Sequence, residues 1–282
     1  MLASLALALL GACSAIKIAY NQAPDLAYWW LDGYVDFNEE QSPRVREQLT
    51  ALMAWHRQSE LPKVTALLQK SQGLLVTNVT SAQACELFNE ITVMVDAVIE
   101  KALPSVADLA PTITAQQLAA MQKKQQKTNA EFTKDYISAS PAQRSAKRLK
   151  DAISRSERFY GKLEAAQIAV IERTIQTSTF DPSISLKERV QRQKDGVELM
   201  RTLASTKPAT PMIQTSLRSY IARSLNSPDA TYRSYAQTMV REGCESFAAV
   251  HASTTPAQRA NAVQTLKGYE LDVRALVKPG GA

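Results

Sequence analysis

Residues 253–277 read STTPAQRANAVQTLKGYELDVRALV, and the first six of them announce a helix. Thr255 is an N-cap residue, Pro256 stands at the first helical position and Gln258 at the third. A proline tolerates the first turn because its missing N–H would have no partner there. A glutamine at the third position reaches back to the N–H of its own cap, closing a capping box. Behind this start, Val263, Leu266, Tyr269, Val273 and Leu276 recur at spacings of three and four, which places them on one helix face.

The same device recurs outward from this stretch. Ser140-Pro141-Ala142-Gln143 repeats it, and Thr114 to Gln117 and Asn38 to Gln41 are variants without proline. Glu164 to Gln167 is a weaker copy, because glutamate caps poorly. Ser185 to Glu188 reads as a box with glutamate, and Asp181-Pro182 and Ser227-Pro228 read as further starts. Apolar stripes follow. Val45, Leu49, Leu52, Met53 and His56 form one; Ala84, Leu87, Phe88, Ile91, Val95 and Val98 form another. A third runs through Tyr232, Ala236, Met239, Val240, Gly243, Phe247 and Val250. Glycine is scarce, 9 in 282 residues, and helix formers dominate. The nearest approach to a strand is GLLVTNVT at 73–80, which is short. The expected class is all-α, an elongated bundle of about seven to nine helices. The copies are irregularly spaced, so a solenoid of fixed period is excluded.

Residues 5–17 read LALALLGACSAIK. The apolar run Leu2–Leu10 is too short for a bilayer span, which takes about 20 residues. Leu10-Gly11-Ala12-Cys13 resembles the bacterial lipobox. That resemblance implies a signal peptide over 1–12, cleavage before Cys13 and acylation of its thiol and new amino group. Several acyl chains anchor stably where one does not. No Lys or Arg precedes the run, a departure from the usual signal pattern; the first is Lys17. Ser14, by resemblance to the sorting rule in which aspartate favours inner-membrane retention, implies the outer membrane. The chain then divides into 1–12 signal peptide, 13–42 lipid anchor and aromatic membrane-proximal segment, 43–278 a single helical domain, and 279–282 a tail. The expected location is the periplasmic face of the outer membrane of a Gram-negative bacterium.

Two further resemblances bear on the folded part. The recurring pattern of a small or apolar residue, then Thr, Ser or Asn, two residues and Gln is similar to the LTxxQ motif of small periplasmic helical stress chaperones. Those proteins bind unfolded clients on a basic concave surface. Four longer stretches resemble an uncharacterised family of Gram-negative lipoproteins, a domain of unknown function. They are YNQAPDLAYWWLDGYVDFNEEQ at 20–41, AWHRQSELPK at 54–63, RSERFYGKLEAAQ at 155–167 and VHASTTPAQRANAVQTLKGYELDVRAL at 250–276. This likeness implies an envelope lipoprotein with a helical domain and supplies no activity.

Few residues invite chemistry. His56 and His251 both sit on helix stripes and read as hydrogen-bonded core histidines. No metal, cofactor or catalytic set is expected, because a zinc site needs three or four clustered ligands. With Cys13 assigned to lipid, Cys85 and Cys244 remain in an oxidising compartment. Each opens a similar tetrad, Cys85-Glu86-Leu87-Phe88 and Cys244-Glu245-Ser246-Phe247, so each borders an apolar stripe. A Cys85–Cys244 disulfide joining an early helix to a late one is expected. Arg144, Arg148, Arg155, Arg158 and Lys162 form a basic stripe for an anionic partner, in a chain of net charge +6. Nucleic acid is not such a partner in the periplasm. Tyr20, Tyr28, Trp29, Trp30, Tyr34 and Phe37 crowd the region after the anchor. Rings at a membrane interface would fit that position, but the expectation is a helix docked with its rings in the core, because Asp32 and Asp36 sit poorly beside anionic headgroups.

The function expected from these features is non-enzymatic. It is binding or chaperone-like action on a protein client or an anionic envelope component, with the membrane reached through lipidated Cys13. A scaffold for an envelope complex is the alternative, and a cell-wall-acting enzyme comes third.

Overall fold

A computed structural model describes residues 15–277. Cys13, the signal segment and the tail lie outside the described residues. The helices in chain order are α1 (Ala15–Asn21), α2 (Ala23–Val35), α3 (Gln41–Ser59), α4 (Leu61–Leu74), α5 (Ser81–Leu109), α6 (Ala115–Phe132), α7 (Pro141–Tyr160), α8 (Ala165–Gln176), α9 (Pro182–Thr206), α10 (Thr210–Leu225), α11 (Ala230–Ala252) and α12 (Pro256–Val277). Short 3-10 and π turns, Ala110–Thr112 and Thr133–Ile137, lie on either side of α6. The fold is all-α, with no strand among the described residues.

Twelve α-helices stand where seven to nine are expected. Some of the excess comes from breaks that carry no strong stop signal. Glu60 divides α3 from α4 at Pro62, yet the N–H of Glu60 still reaches the His56 carbonyl at 2.9 Å and Val64 reaches Glu60 at 3.0 Å. Gln22 divides α1 from α2 in the same way, its N–H on Ile18 at 3.1 Å and Leu26 on Gln22 at 3.0 Å. Three starts differ from expectation. Ser185 does not cap: it lies inside α9, its hydroxyl bonded to the Asp181 carbonyl at 3.2 Å, and Asp181 caps instead. At Ser227-Pro228 the cap is Asp229, whose carboxylate takes the N–H groups of Thr231 and Tyr232. Residues 73–80 form no strand; Thr80 there closes an unexpected capping box with Gln83 at the start of α5.

Apolar packing divides into separate clusters rather than one core. One joins Leu75, Val79, Ala84, Tyr160, Leu163, Ile171, Cys244, Val250, Ala262 and Leu266. A second joins Leu103, Ala107, Leu203, Ile213 and Leu217. Helix α5, 29 residues and so about 43 Å long, contributes to both, one near each end. Its middle lies between them. Phe88, Ile91 and Val95, part of the expected apolar stripe, are 47%, 49% and 49% exposed. The stripe of α12 behaves as its pattern predicts: Leu266, Val273 and Leu276 are buried, largely against α4. Between those two helices Glu270 is fully buried. Its carboxylate accepts from Gln69 and Gln72 of α4 and pairs with Lys267 and Arg274. These donors, Gln72 and Lys267 foremost, hold its pKa down to about 2.

Candidate functional site

Four of the expected capping glutamines do more than cap. At the start of α3 the oxygen of Gln41 accepts the Asn38 N–H at 3.2 Å, and at the start of α6 the oxygen of Gln117 accepts the Thr114 N–H at 3.0 Å. The two amides also bond each other in both directions. Each nitrogen then donates to a carbonyl two residues before its partner's cap: Gln41 to Thr112 at 3.1 Å, Gln117 to Asp36 at 3.0 Å. The starts of α8 and α12 repeat the pattern. Gln167 closes on Glu164 at 2.8 Å and Gln258 on Thr255 at 3.0 Å. The amides bond each other at 2.6 and 2.9 Å. Gln167 donates to Ser253 and Gln258 to Lys162, at 3.1 and 3.0 Å.

A primary amide offers two N–H donors and two acceptor lone pairs. In these junctions every one is used, which is what lets four glutamines sit buried at 2–7% exposure. The backbone is bent to suit. The Asp36 carbonyl is presented by a residue at φ 58°, and Lys162 follows Gly161 at φ 75°, ψ −166°. The second of these conformations is essentially open to glycine alone. The boxes at Thr80–Gln83 and Ser140–Gln143 have the same local bonds and lie at exposed helix starts, with no amide partner among the described residues.

Cys85 of α5 and Cys244 of α11 are at disulfide distance, Sγ–Sγ 2.04 Å with Cα atoms 5.4 Å apart. His251, two turns past Cys244, is fully buried. Its Nε2 lies 2.7 Å from the Thr77 carbonyl, which only accepts, so Nε2 carries the proton. Its Nδ1 therefore accepts from the Tyr160 hydroxyl at 2.9 Å. Burial lowers the His251 pKa and pushes the Tyr160 phenol up to about 12. Both groups are neutral and committed to the core. His56 is half-buried, its Nδ1 2.9 Å from the Tyr20 hydroxyl.

The basic residues separate. Arg144 turns back to the Ala139 carbonyl at 2.7 Å. Arg148 bonds Ser178 at 2.9 Å and lies 4.7 Å above the Phe180 ring. Arg155 and Arg158 of α7 are exposed, and so is Lys162, which lies past the end of that helix. A pocket of about 450 Å³ opens elsewhere, between α5, α6, α9, α10 and α11. Met121, Met200 and Leu217 line it, with Arg189, Arg192, Tyr220 and Tyr232. Gly196 admits Tyr220 there: a Cβ at 196 would meet the phenol oxygen at 2.7 Å. No carboxylate, histidine or cysteine lines this pocket, and no group of three or more His, Cys, Asp or Glu placed to hold a metal occurs among the described residues.

Residues 33–219, more than half of the chain, match a family of unknown function, DUF6279. The chain belongs to DUF6279. No curated protein and no solved structure matches it. The match covers three of the four junction glutamines, Gln41, Gln117 and Gln167. In this DUF6279 chain the aromatic segment is split. Tyr28 is buried, its hydroxyl donating to Ser42 at 2.9 Å with the Arg46 guanidinium 3.5 Å over its ring. Trp29 and Trp30, expected in the core, are 60% and 64% exposed. The reason is helical phase: Tyr20, Tyr28 and Val35 take the face toward α3, α6 and α12, and the tryptophans fall on the other side.

Proposed function

We propose that this DUF6279 chain is a lipid-anchored protein of the outer membrane, facing the periplasm, that binds other polypeptides without catalysing a reaction on them. The observation that carries this reading is the half-exposed row Phe88, Ile91, Val95 on α5, one helix face between two packed clusters. Apolar side chains aligned in this way mark surfaces that meet another molecule. Arg155, Arg158 and Lys162 supply exposed positive charge suited to acidic segments of a client. The junction glutamines, which carry the likeness to the LTxxQ chaperones, are saturated by each other and by backbone. They leave no free polar group for a client.

The test is suppression of a denatured client's aggregation by the full chain, compared with a Phe88→Ser/Ile91→Ser/Val95→Ser variant of equal thermal stability. The reading predicts suppression that the variant loses. Equal suppression by both removes α5 as the surface. No suppression, together with one stoichiometric partner recovered from envelope extract, gives the scaffold reading instead.

A further inference from the structure

We propose that the outward face of α1–α2 is a bilayer seat: Ile18, Leu26, Trp29 and Trp30 rest in the lipid interface while the opposite face of the same helices holds the folded body. This deepens the tether and rests on the reading of Cys13 as its acylated residue.

Three observations converge. The first is periodicity. Helical hydrogen bonds run through Gln22 between α1 and α2, so residues 18, 26, 29 and 30 lie on one side of a nearly continuous helix. They are 54%, 48%, 60% and 64% exposed, and all are large and apolar. The opposite side is committed to protein. Tyr20 meets His56, Tyr28 bonds Ser42, and Val35 packs with Ile113 and Leu118. The segment is amphipathic with an apolar face that the fold leaves uncovered.

The second is reach. Cys13 stands two residues before Ala15, where α1 begins, so a lipid on its sulfur would hold that end within about 7 Å of chain. From Ile18 to Trp30 the helix rises about 18 Å. An apolar face starting a few residues from the anchor is delivered to the surface by the anchor itself. Tryptophan favours this depth, where its ring meets acyl chain and headgroup together.

The third is charge. The carboxylates of α2 are occupied: Asp25 pairs with Arg46 at 2.9 Å, and Asp32 accepts the Phe37 N–H at 2.9 Å. On α6, beside this helix, Lys124 lies 5.3 Å from the Tyr34 ring, and Lys123 and Lys127 are exposed. The Tyr34 ring lies 4.9 Å from that of Trp30, so the Lys124 ammonium stands beside the tryptophan face, where it suits anionic headgroups.

The experiment uses the full chain on vesicles of phosphatidylethanolamine and phosphatidylglycerol that carry brominated acyl chains. Trp55→Phe leaves only Trp29 and Trp30 as tryptophans; Trp29→Phe/Trp30→Phe leaves only Trp55, on α3. The seat predicts a blue shift and loss of most emission in the first variant, and unchanged emission in the second. Unquenched Trp29 and Trp30 on a vesicle-bound chain overturn it, as does a dimer that hides both rings from lipid. Failure of labelled palmitate to attach at Cys13 removes the tether alone. The same emission, read on chain added to the vesicles without acylation, then judges the face separately.

Discussion

Gln143 and Gln258 each close a capping box behind the same Pro-Ala start, yet Gln143 faces solvent and Gln258 is buried against Gln167. The local chemistry is equal: the cap N–H donates to the side-chain oxygen, and the N–H three residues on donates to the cap hydroxyl. The difference lies in what the amide nitrogen finds. Gln258 finds a second glutamine and the Lys162 carbonyl, and the pair locks the starts of α8 and α12 together. Gln41 and Gln117 do the same for α3 and α6. A motif that begins as helix capping has become a tertiary clamp at two places and has remained a cap at two others.

The two clamps differ in turn. The one at Gln167–Gln258 adjoins the cluster that contains Cys244, whereas the one at Gln41–Gln117 lies where α2 docks and has no covalent tie beside it. Reduction should therefore separate them. The bridge closes a sequence separation of 159 residues. The chain-entropy model gives about 4–5 kcal/mol for a loop of this class, often less in practice. With dithiothreitol, amide exchange should accelerate first in α8, α11 and α12, with α3 and α6 following at higher denaturant. Uniform acceleration of all five would show that the clusters unfold as one.

Next in size is the loss of a clamp. Gln258→Leu strands the Lys162 carbonyl and the Thr255 N–H, and takes one partner from each end of the Gln167 amide. Leaving buried polar groups unpaired costs about 1–3 kcal/mol, and urea denaturation should place this variant toward the upper end. Gln143→Leu, which strands nothing buried, should fall within about 0.5 kcal/mol of the parent, as surface changes do. Gly161→Ala should cost about 1–3 kcal/mol, because it forces an L-residue into a glycine-only conformation next to the carbonyl that Gln258 needs.

The smallest effects are those of pH. His251 has a pKa below its ordinary 6.5. The unfolded chain therefore takes up the proton first, so the stability tied to a neutral His251 is present above pH 6.5 and is lost as pH falls below it. Glu270 acts lower. Its carboxylate is held at about 2 against an ordinary 4.5, so its contribution is present above pH 4.5 and drains away toward pH 2. Urea midpoints at pH 7, 5 and 3 should fall in two stages. Glu270→Gln should flatten the lower stage alone; an unchanged slope there would mean that the Gln69, Gln72, Lys267 and Arg274 contacts do not favour the charged carboxylate.

Much of this was legible beforehand, and the limits are physical. Periodicity named the α12 stripe correctly because one face of that helix packs along α4. The same periodicity put Phe88, Ile91 and Val95 on one face of α5, and that face is half-exposed, since a stripe says that a face is apolar and not that this chain covers it. Trp29 and Trp30 were assigned to the core with their neighbours, although successive residues on a helix point about 100° apart. Capping boxes were readable because cap and glutamine are three residues apart. Their pairing was not, because the partners are 76 and 91 residues apart and nothing local distinguishes Gln83 or Gln143 from the four that pair. Nothing local marks Glu270 as buried: Lys267 and Arg274 are ordinary neighbours on its own helix, and Gln69 and Gln72 reach it only when α4 meets α12.

The most direct test of the clamp is a double-mutant cycle on Gln167→Ala and Gln258→Ala, with Gln143→Ala/Gln258→Ala as the control pair. Contacting residues couple by about 0.5–3 kcal/mol, and distant ones add within about 0.3–0.5 kcal/mol. Urea denaturation should give a coupling of at least about 1 kcal/mol for Gln167 with Gln258, and additivity for the control. Additive losses at Gln167 and Gln258 would contradict the account, reducing both glutamines to independent helix caps.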